Sequence, residues 1–191
     1  MKSIREYHEA TKHSWEKLYQ DSHTLDWSNQ PNPFRTYLDC PRIDLGSGFE
    51  KIYKPLSRVW SLHDIEPRNE PITMHTLSTL MYYSMAISAW KSYPGVEPWS
   101  LRVNPSSGDL HPTETHVYVH DVKDLSGAYH YFVKGHQLEQ RAIGDIVPTL
   151  WQTLGGISTT PPIIIGLTSI FWREAWKYQS RALRYCYLDL G

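Results

Sequence analysis

Several features that would assign a chain of this size to a class are scarce here. The 191 residues carry a formal net charge of -1, so the chain as a whole has no electrostatic attraction for nucleic acid or an anionic membrane. Its 2 cysteines, Cys40 and Cys186, are far apart and lack the close spacing of a structural zinc site. An anion site must therefore come from a local arrangement of cations, and neither nucleic acid nor a membrane is an expected partner.

Sequence signals for several other classes are absent as well. No apolar run is long enough to span a bilayer, and the first residues, MKSIREYHEATKHSW, lack the apolar core of a secretory signal. The motifs GxSxG, GxGxxG and the P-loop are missing, so hydrolase, dinucleotide-binding and NTPase assignments have no support. The 10 histidines are not spaced as a set of metal ligands. We therefore expect a cytoplasmic protein without a metal site.

What is present is a mixture of helical and strand-like patterns. Helical spacing of apolar residues predicts helices over 3–19, 73–91, 143–154 and 172–191. Strand patterns fall over 114–120, 128–133 and 137–141, and the apolar, β-branched run 163–170 is typical of a central strand covered on both faces. These patterns predict the α+β class. We expect residues 1–70 to form a helix and an extended wrapping segment, and residues 71–191 to form the domain.

The helix predicted over 172–191 aligns four cations on one face: Arg173, Lys177, Arg181 and Arg184. Two interpretations stay open. Lys and Arg are good helix formers that usually face solvent, so the stripe is explained by a solvated surface. Alternatively, these cations clamp an anion such as a phosphate or the electron-rich edge of a flavin.

A second motif, RVNPSSGDLHPTE, begins at Arg102. Its prolines and Gly108 fix a bent backbone, and its small residues, Ser106 and Ser107, leave backbone N–H groups that can form an anion-binding nest. Arg102 adds a cation. A surface loop that precedes a strand is the alternative, and the motif alone does not decide between the two.

The two motifs together, in this order, resemble the nitroreductase-like flavoproteins, and among them the SagB-type dehydrogenases that convert peptide thiazolines and oxazolines to thiazoles and oxazoles. The segments YHEATKHSW and QPNPFRTY are similar to the longer, tandem members of that group. The resemblance implies the FMN-dependent nitroreductase α+β fold, with a central sheet flanked by helices. It also implies FMN as the cofactor, bound at a homodimer interface or between two fused halves, and a small-molecule or peptide substrate.

The resemblance also implies roles for particular residues. Lys177 and Tyr178 match the Lys-Tyr pair implicated in dehydrogenation, and either could be the base. We expect the basic, partly dry surroundings to lower the pKa of whichever residue acts. The implied flavin-binding set is Arg102, Pro105, Ser106, Ser107, Gly108, Arg181 and Arg184. A generic NAD(P)H-dependent nitroreductase and a flavin-free half-domain that acts as a scaffold or binds a peptide are the alternatives.

The sequence departs from the family pattern in two places. The Arg-x-Ser-x-Arg element that grips the FMN phosphate is missing, although Lys54, Arg58 and Arg68 lie in the corresponding region. We therefore expect a second half or a partner chain to supply the phosphate grip. The chain also stops at Gly191, inside the last motif, and for this reason we expect it to be the N-terminal half of a longer protein.

Overall fold

The structure, a computed structural model, describes residues 3–18, 23–47, 71–122 and 124–191. Its helices are α1 (Ile4–Thr11), α2 (Trp15–Leu18), α3 (Met74–Met85), α4 (Val147–Thr153), α5 (Phe171–Tyr178) and α6 (Ala182–Leu190). Its strands are β1 (Arg42–Asp44), β2 (Ile87–Tyr93), β3 (Val96–Arg102), β4 (Thr113–Val119), β5 (Gly127–Phe132), β6 (Gln137–Ile143) and β7 (Ile163–Ser169). In the described part of the chain, no helix is long and apolar enough to cross a membrane.

Contacts within the chain divide it into two compact units. The first unit contains Met1–Thr36, Ser88–Thr115 and Leu167–Gly191, and the second contains Tyr37–Ile87 and His116–Gly166. The predicted division after residue 70 falls outside the described residues, so it stays a prediction.

The second unit is built on an antiparallel sheet. Its strand order is β1-β6-β5-β4-β7, and β4, β5 and β6 pair with their neighbours in sequence. The alternation of polar and apolar residues along these strands turns one set of side chains inward, where they meet α3. The resulting core comprises Leu45, Leu77, Met81, Val117, Val119, Leu125, Tyr129, Tyr131 and Leu138.

The first unit contains the two motifs found in the sequence. In this unit β2 and β3 form a two-stranded sheet, and α5 and α6 follow each other at the end of the chain. Helix α1 begins with a capping box, in which the Ser3 hydroxyl accepts from the Glu6 N–H and the Glu6 carboxylate accepts from the Ser3 N–H. Tyr7, in α1, donates its hydroxyl to the Ser180 carbonyl at 3.0 Å, which ties the first helix to the last motif.

Outside the last motif, four of the predicted elements differ from the structure. The helix predicted over 73–91 ends at Met85, because Ala86 takes an extended conformation and ISAWKSY, rich in β-branched and aromatic residues, becomes β2. The helix predicted over 3–19 divides into α1 and α2 at an extended Lys12. The helix predicted over 143–154 shortens to α4, since β6 runs to Ile143. Strand β7, expected to be central, is last in the sheet order among the described strands.

Candidate active site

The last motif is two helices rather than one. Helix α5 ends at Tyr178, where Gln179 adopts a positive φ of 46°, and a 3-10 turn over Gln179–Arg181 leads into α6. A left-handed residue interrupts the regular hydrogen bonds of a helix. The prediction of one continuous basic stripe is therefore wrong, and its four cations have separate surroundings.

Arg173 is buried inside the first unit, with only 3% of its surface exposed. Its Nη1 donates to Glu114 Oε1 and to the His111 carbonyl, each at 2.5 Å, and its Nε donates to the Asn32 carbonyl at 3.0 Å. Neither sequence interpretation applies to this residue. Its anion is a carboxylate of the same chain, and the pair connects α5 to the start of β4.

Arg184 is engaged with the first helix. Its Nε donates to the Thr11 hydroxyl at 3.1 Å, and its Nη2 donates to the His8 carbonyl at 2.9 Å. Its backbone N–H donates to the Tyr7 hydroxyl at 3.1 Å. These bonds hold α1 against α6. Arg181 lies half-buried in the 3-10 turn that separates the last two helices.

Lys177 and Tyr178 lie against Gly108, so the fold brings the two motifs together. Lys177 Nζ donates to the Gly108 carbonyl at 3.3 Å. A Cβ added to Gly108 would lie 2.5 Å from the Tyr178 hydroxyl and 2.8 Å from Lys177 Nζ. Gly108 also has a φ of +67°, which favours glycine. The position thus requires glycine both for its backbone conformation and for the approach of the two side chains.

The loop that contains Gly108 already holds an anion, the carboxylate of Asp189. The Ser107 N–H is 3.0 Å from both Asp189 oxygens, and the Ser107 hydroxyl donates to Oδ1 at 2.8 Å. The Ser106 hydroxyl accepts from the His111 N–H at 2.7 Å. The loop therefore binds an anion of its own chain, and it does so through one N–H group and one hydroxyl of Ser107. That it also binds a cofactor stays a prediction. Sequence reasoning missed Asp189, although it belongs to the final motif.

Two other residues were expected near a cofactor. Arg102 is the last residue of β3, and Pro105 lies in the loop that follows. The Arg102 Nη2 donates to the Pro33 carbonyl, and its guanidinium carbon lies 5.4 Å from the centre of the Phe34 ring. Pro105 is exposed. The region with Lys54, Arg58 and Arg68, in which we expected the phosphate grip to be missing, lies outside the described residues.

A cavity of about 530 Å³ in the first unit adjoins these groups. Aromatic side chains and the two motif residues line much of it: Trp27, Phe34, Trp99, Trp176, Gly108 and Lys177. We call it the aromatic cavity. Phe34 also packs near Trp90, with ring centres 6.0 Å apart. Among the described residues, the lining combines flat apolar side chains with the Lys177 ammonium and two acidic residues, Glu97 and Asp109.

The ionisation of the site differs from what the sequence predicted. Burial, together with the nearby carboxyls of Glu174 and Asp189 and the phenol of Tyr185, raises the pKa of Tyr178 to about 12. The expectation of a lowered pKa is therefore wrong for Tyr178, which is a neutral phenol at pH 7. Burial lowers the pKa of His111, as do the guanidinium groups of Arg102 and Arg173. The cavity wall formed by His111 is therefore uncharged at neutral pH.

Glu174 is a further titratable group that sequence reasoning missed. Its side chain is 0% exposed, and neither carboxyl oxygen has a hydrogen-bond partner among the described residues. Burial and the Asp189 carboxyl together raise its pKa to about 8, against an opposing effect of the Lys177 ammonium. Only the helical spacing of Glu174 with Lys177 and Tyr178 could have drawn attention to it. Within the described ranges, no cluster of three or more His, Cys, Asp or Glu side chains is placed to hold a metal ion.

Comparison with known proteins gives a structural relationship. No protein-family model matches the chain, and no curated protein matches it. An assigned nitroreductase from Anabaena variabilis superposes on 97% of this chain with a TM-score of 0.74 and 29% identity. The chain spans 35% of the length of that protein. A chain of the E. coli microcin synthetase McbBCD complex, with truncated pro-MccB17 bound, aligns with 100% of this chain. The alignment covers 69% of that chain, with 19% identity and a TM-score of 0.48. The first of these matches confirms the mixed helix and sheet architecture expected from the sequence: the chain has a nitroreductase-like fold.

Proposed function

We propose that this chain contributes the Lys-Tyr pair and one wall of the active site in a flavin-dependent oxidoreductase of the SagB/nitroreductase type. The observation that carries the proposal is the meeting of the two motifs, since Lys177 Nζ bonds to the Gly108 carbonyl and both residues line the aromatic cavity. A peptide thiazoline or oxazoline, or a related small ring, is the substrate class.

The raised pKa of Tyr178 supports one division of the roles that the sequence left open. Tyr178 keeps its proton at neutral pH because its pKa is about 12, so it can donate a hydrogen bond but is a poor general base. Lys177 has a flexible stem and an amine that can accept a proton once deprotonated. We therefore assign proton removal from the substrate to Lys177, and orientation of the substrate to the Tyr178 hydroxyl.

The described residues fit one part of FMN. The aromatic cavity offers flat apolar walls, among them Trp99 and Trp176, that suit a planar ring. The groups expected to bind the FMN phosphate already have partners within the chain. The Ser107 N–H is bonded to Asp189, and the guanidinium of Arg184 is bonded to α1. When bound, a flavin supplies the acceptor for a hydride. We assign the phosphate grip to a second nitroreductase-like half or a partner chain.

The test is a titration of the chain with FMN, followed by visible absorption, and a turnover assay with a thiazoline peptide. Lys177→Ala should keep the shift of the flavin spectrum and lose turnover. Lys91→Ala is the matched control, because Lys91 is an exposed lysine of β2 in the same unit. Turnover that survives in Lys177→Ala would overturn the assignment of the base. Reduction of a nitroaromatic by NAD(P)H, without reaction on the thiazoline, would favour a generic nitroreductase.

One observation favours the alternative of a flavin-free scaffold. Asp189 occupies the anion site of the loop, which is what a purely structural role of the loop predicts. For that alternative, a folded chain would give no spectral shift with excess FMN. It would still give none after the second half or partner chain is added, and a peptide would then be the expected ligand.

A further inference from the structure

Glu174 is buried under conditions that normally disfavour a carboxyl group. Its side chain has 0% exposure, and both oxygens lack a hydrogen-bond partner in the described part of the chain. A buried charge without a partner is costly, and buried polar side chains are mostly bonded. The nearest guanidinium in sequence, that of Arg173, is occupied by Glu114. A group retained in this state calls for an explanation.

The position of Glu174 connects it to the Lys-Tyr pair. It lies on α5, three residues before Lys177 and four before Tyr178, a spacing that places side chains on the same helix face. The titratable groups that act on it or feel its charge are Asp189, Lys177, Tyr178, Tyr185 and Cys186. Lys177 is the cation of this set.

On the basis of the function proposed above, we propose that Glu174 is a positioning residue that acts through Lys177 and Tyr178. As an uncharged acid it exerts no charge on either neighbour, and as a carboxylate it attracts the Lys177 ammonium and disfavours ionisation of the Tyr178 phenol. The two states differ by one proton on Glu174, which exchanges with solvent, so the step needs no further reactant.

The expected pH dependence follows from this arrangement. The pKa of Glu174 is about 8, so the acid form predominates at neutral pH and the carboxylate forms above it. Coulomb attraction between the carboxylate and the Lys177 ammonium opposes loss of the lysine proton. The carboxylate stabilises the ammonium form of the assigned base, so turnover should rise less steeply with pH above about 8 than below it. The Tyr178 phenol should titrate at higher pH than it would beside a neutral residue.

The first readout needs no flavin. NMR of the full chain, labelled at the Glu carboxyl carbons, should show one resonance that titrates near pH 8, and Glu174→Gln should remove it. With label at the Tyr ring carbons, and Tyr178→Phe to assign the signal, Glu174→Gln should lower the midpoint of Tyr178 by about 1 pH unit. Glu16→Gln, at an exposed glutamate of α2, is the control and should change neither titration.

The second readout is the pH profile of turnover, in which Glu174→Gln should remove the change of slope near pH 8. A merely structural role would leave the Tyr178 midpoint unchanged and would overturn the inference. Absence of a glutamate that titrates near pH 8 would overturn it as well. If Glu174→Gln fails to fold, the carboxyl titration of the unmodified chain still decides. Failure of FMN binding or turnover would refute the proposed function, and it would leave the two NMR titrations to be judged separately.

Discussion

Replacement of Gly108 by alanine tests the contact that unites the two motifs. Gly108 has a φ of +67°, and an alanine in this left-handed conformation costs about 1–2 kcal/mol. The added Cβ would also lie 2.5 Å from the Tyr178 hydroxyl and 2.8 Å from Lys177 Nζ, so both side chains must move. Overpacking of this kind costs typically about 1–3 kcal/mol. We expect a total loss of about 2–5 kcal/mol in the free energy of unfolding.

Gly95→Ala separates the two contributions. Gly95 has a φ of +80° in the turn between β2 and β3, and its added Cβ would meet nothing within 4 Å. It should therefore lose only the backbone contribution, about 1–2 kcal/mol. Urea unfolding of both variants gives the difference. Only Gly108→Ala should also change the NMR titration of the Tyr178 phenol. Equal losses in the two variants, with an unchanged phenol titration, would refute the contact and with it the main support for the proposed site.

Three further predictions concern charged groups. Arg173→Met should lose about 3–5 kcal/mol in urea unfolding, because Glu114 stays buried without its guanidinium. Adding Glu114→Gln should recover part of that loss, and no recovery would contradict the ion-pair explanation. Arg184→Ala should lose about 1–2 kcal/mol by releasing α1 and leave FMN titration unchanged; weaker FMN binding would return this arginine to the cofactor site. The pKa of Glu174 rises from 4.5 to about 8 on folding, so the folded chain binds more protons between those values. Its contribution to stability therefore falls as pH rises across that window, and Glu174→Gln should flatten the curve; parallel curves would contradict the assignment.

The strands of the second unit were the most predictable part of the fold. Alternating side chains over residues 114–120 and 128–133 predicted β4 and β5 within a residue or two at each end. The apolar positions of that alternation, Val117, Val119, Tyr129 and Tyr131, belong to the core. The helix predicted over 73–91 failed at its second half. Ile87 and Trp90 suit an amphipathic helix and a strand alike, and the pairing of β2 with β3 decides between them.

The candidate site was predictable at the level of motifs but not of partners. Both motifs could be found in the sequence, and their meeting at Gly108 agrees with the resemblance that linked them. The contact between Asp189 and the loop could not be predicted from the sequence, because residues 107 and 189 are far apart in sequence and only the folded chain brings them together. The same holds for Arg173 and Glu114. A helix wheel assigns a side chain to a face but does not identify what covers that face.

The separate surroundings of the basic residues narrow the chemistry that the first unit can perform. Arg173 is neutralised by Glu114, and Arg184 bonds to the first helix, so these two cations stabilise the fold. Lys177 differs from them, because its ammonium lines the aromatic cavity and its hydrogen-bond partner there is a neutral carbonyl. Among the described residues no carboxylate is bonded to this ammonium, and a ligand in the cavity could contact it directly. The carboxyl that could compensate it, Glu174, is itself held uncharged at neutral pH by burial. The proton balance of the site therefore depends on these two residues together, and it is for this reason that a variant at Glu174 should change the pH profile of a reaction assigned to Lys177.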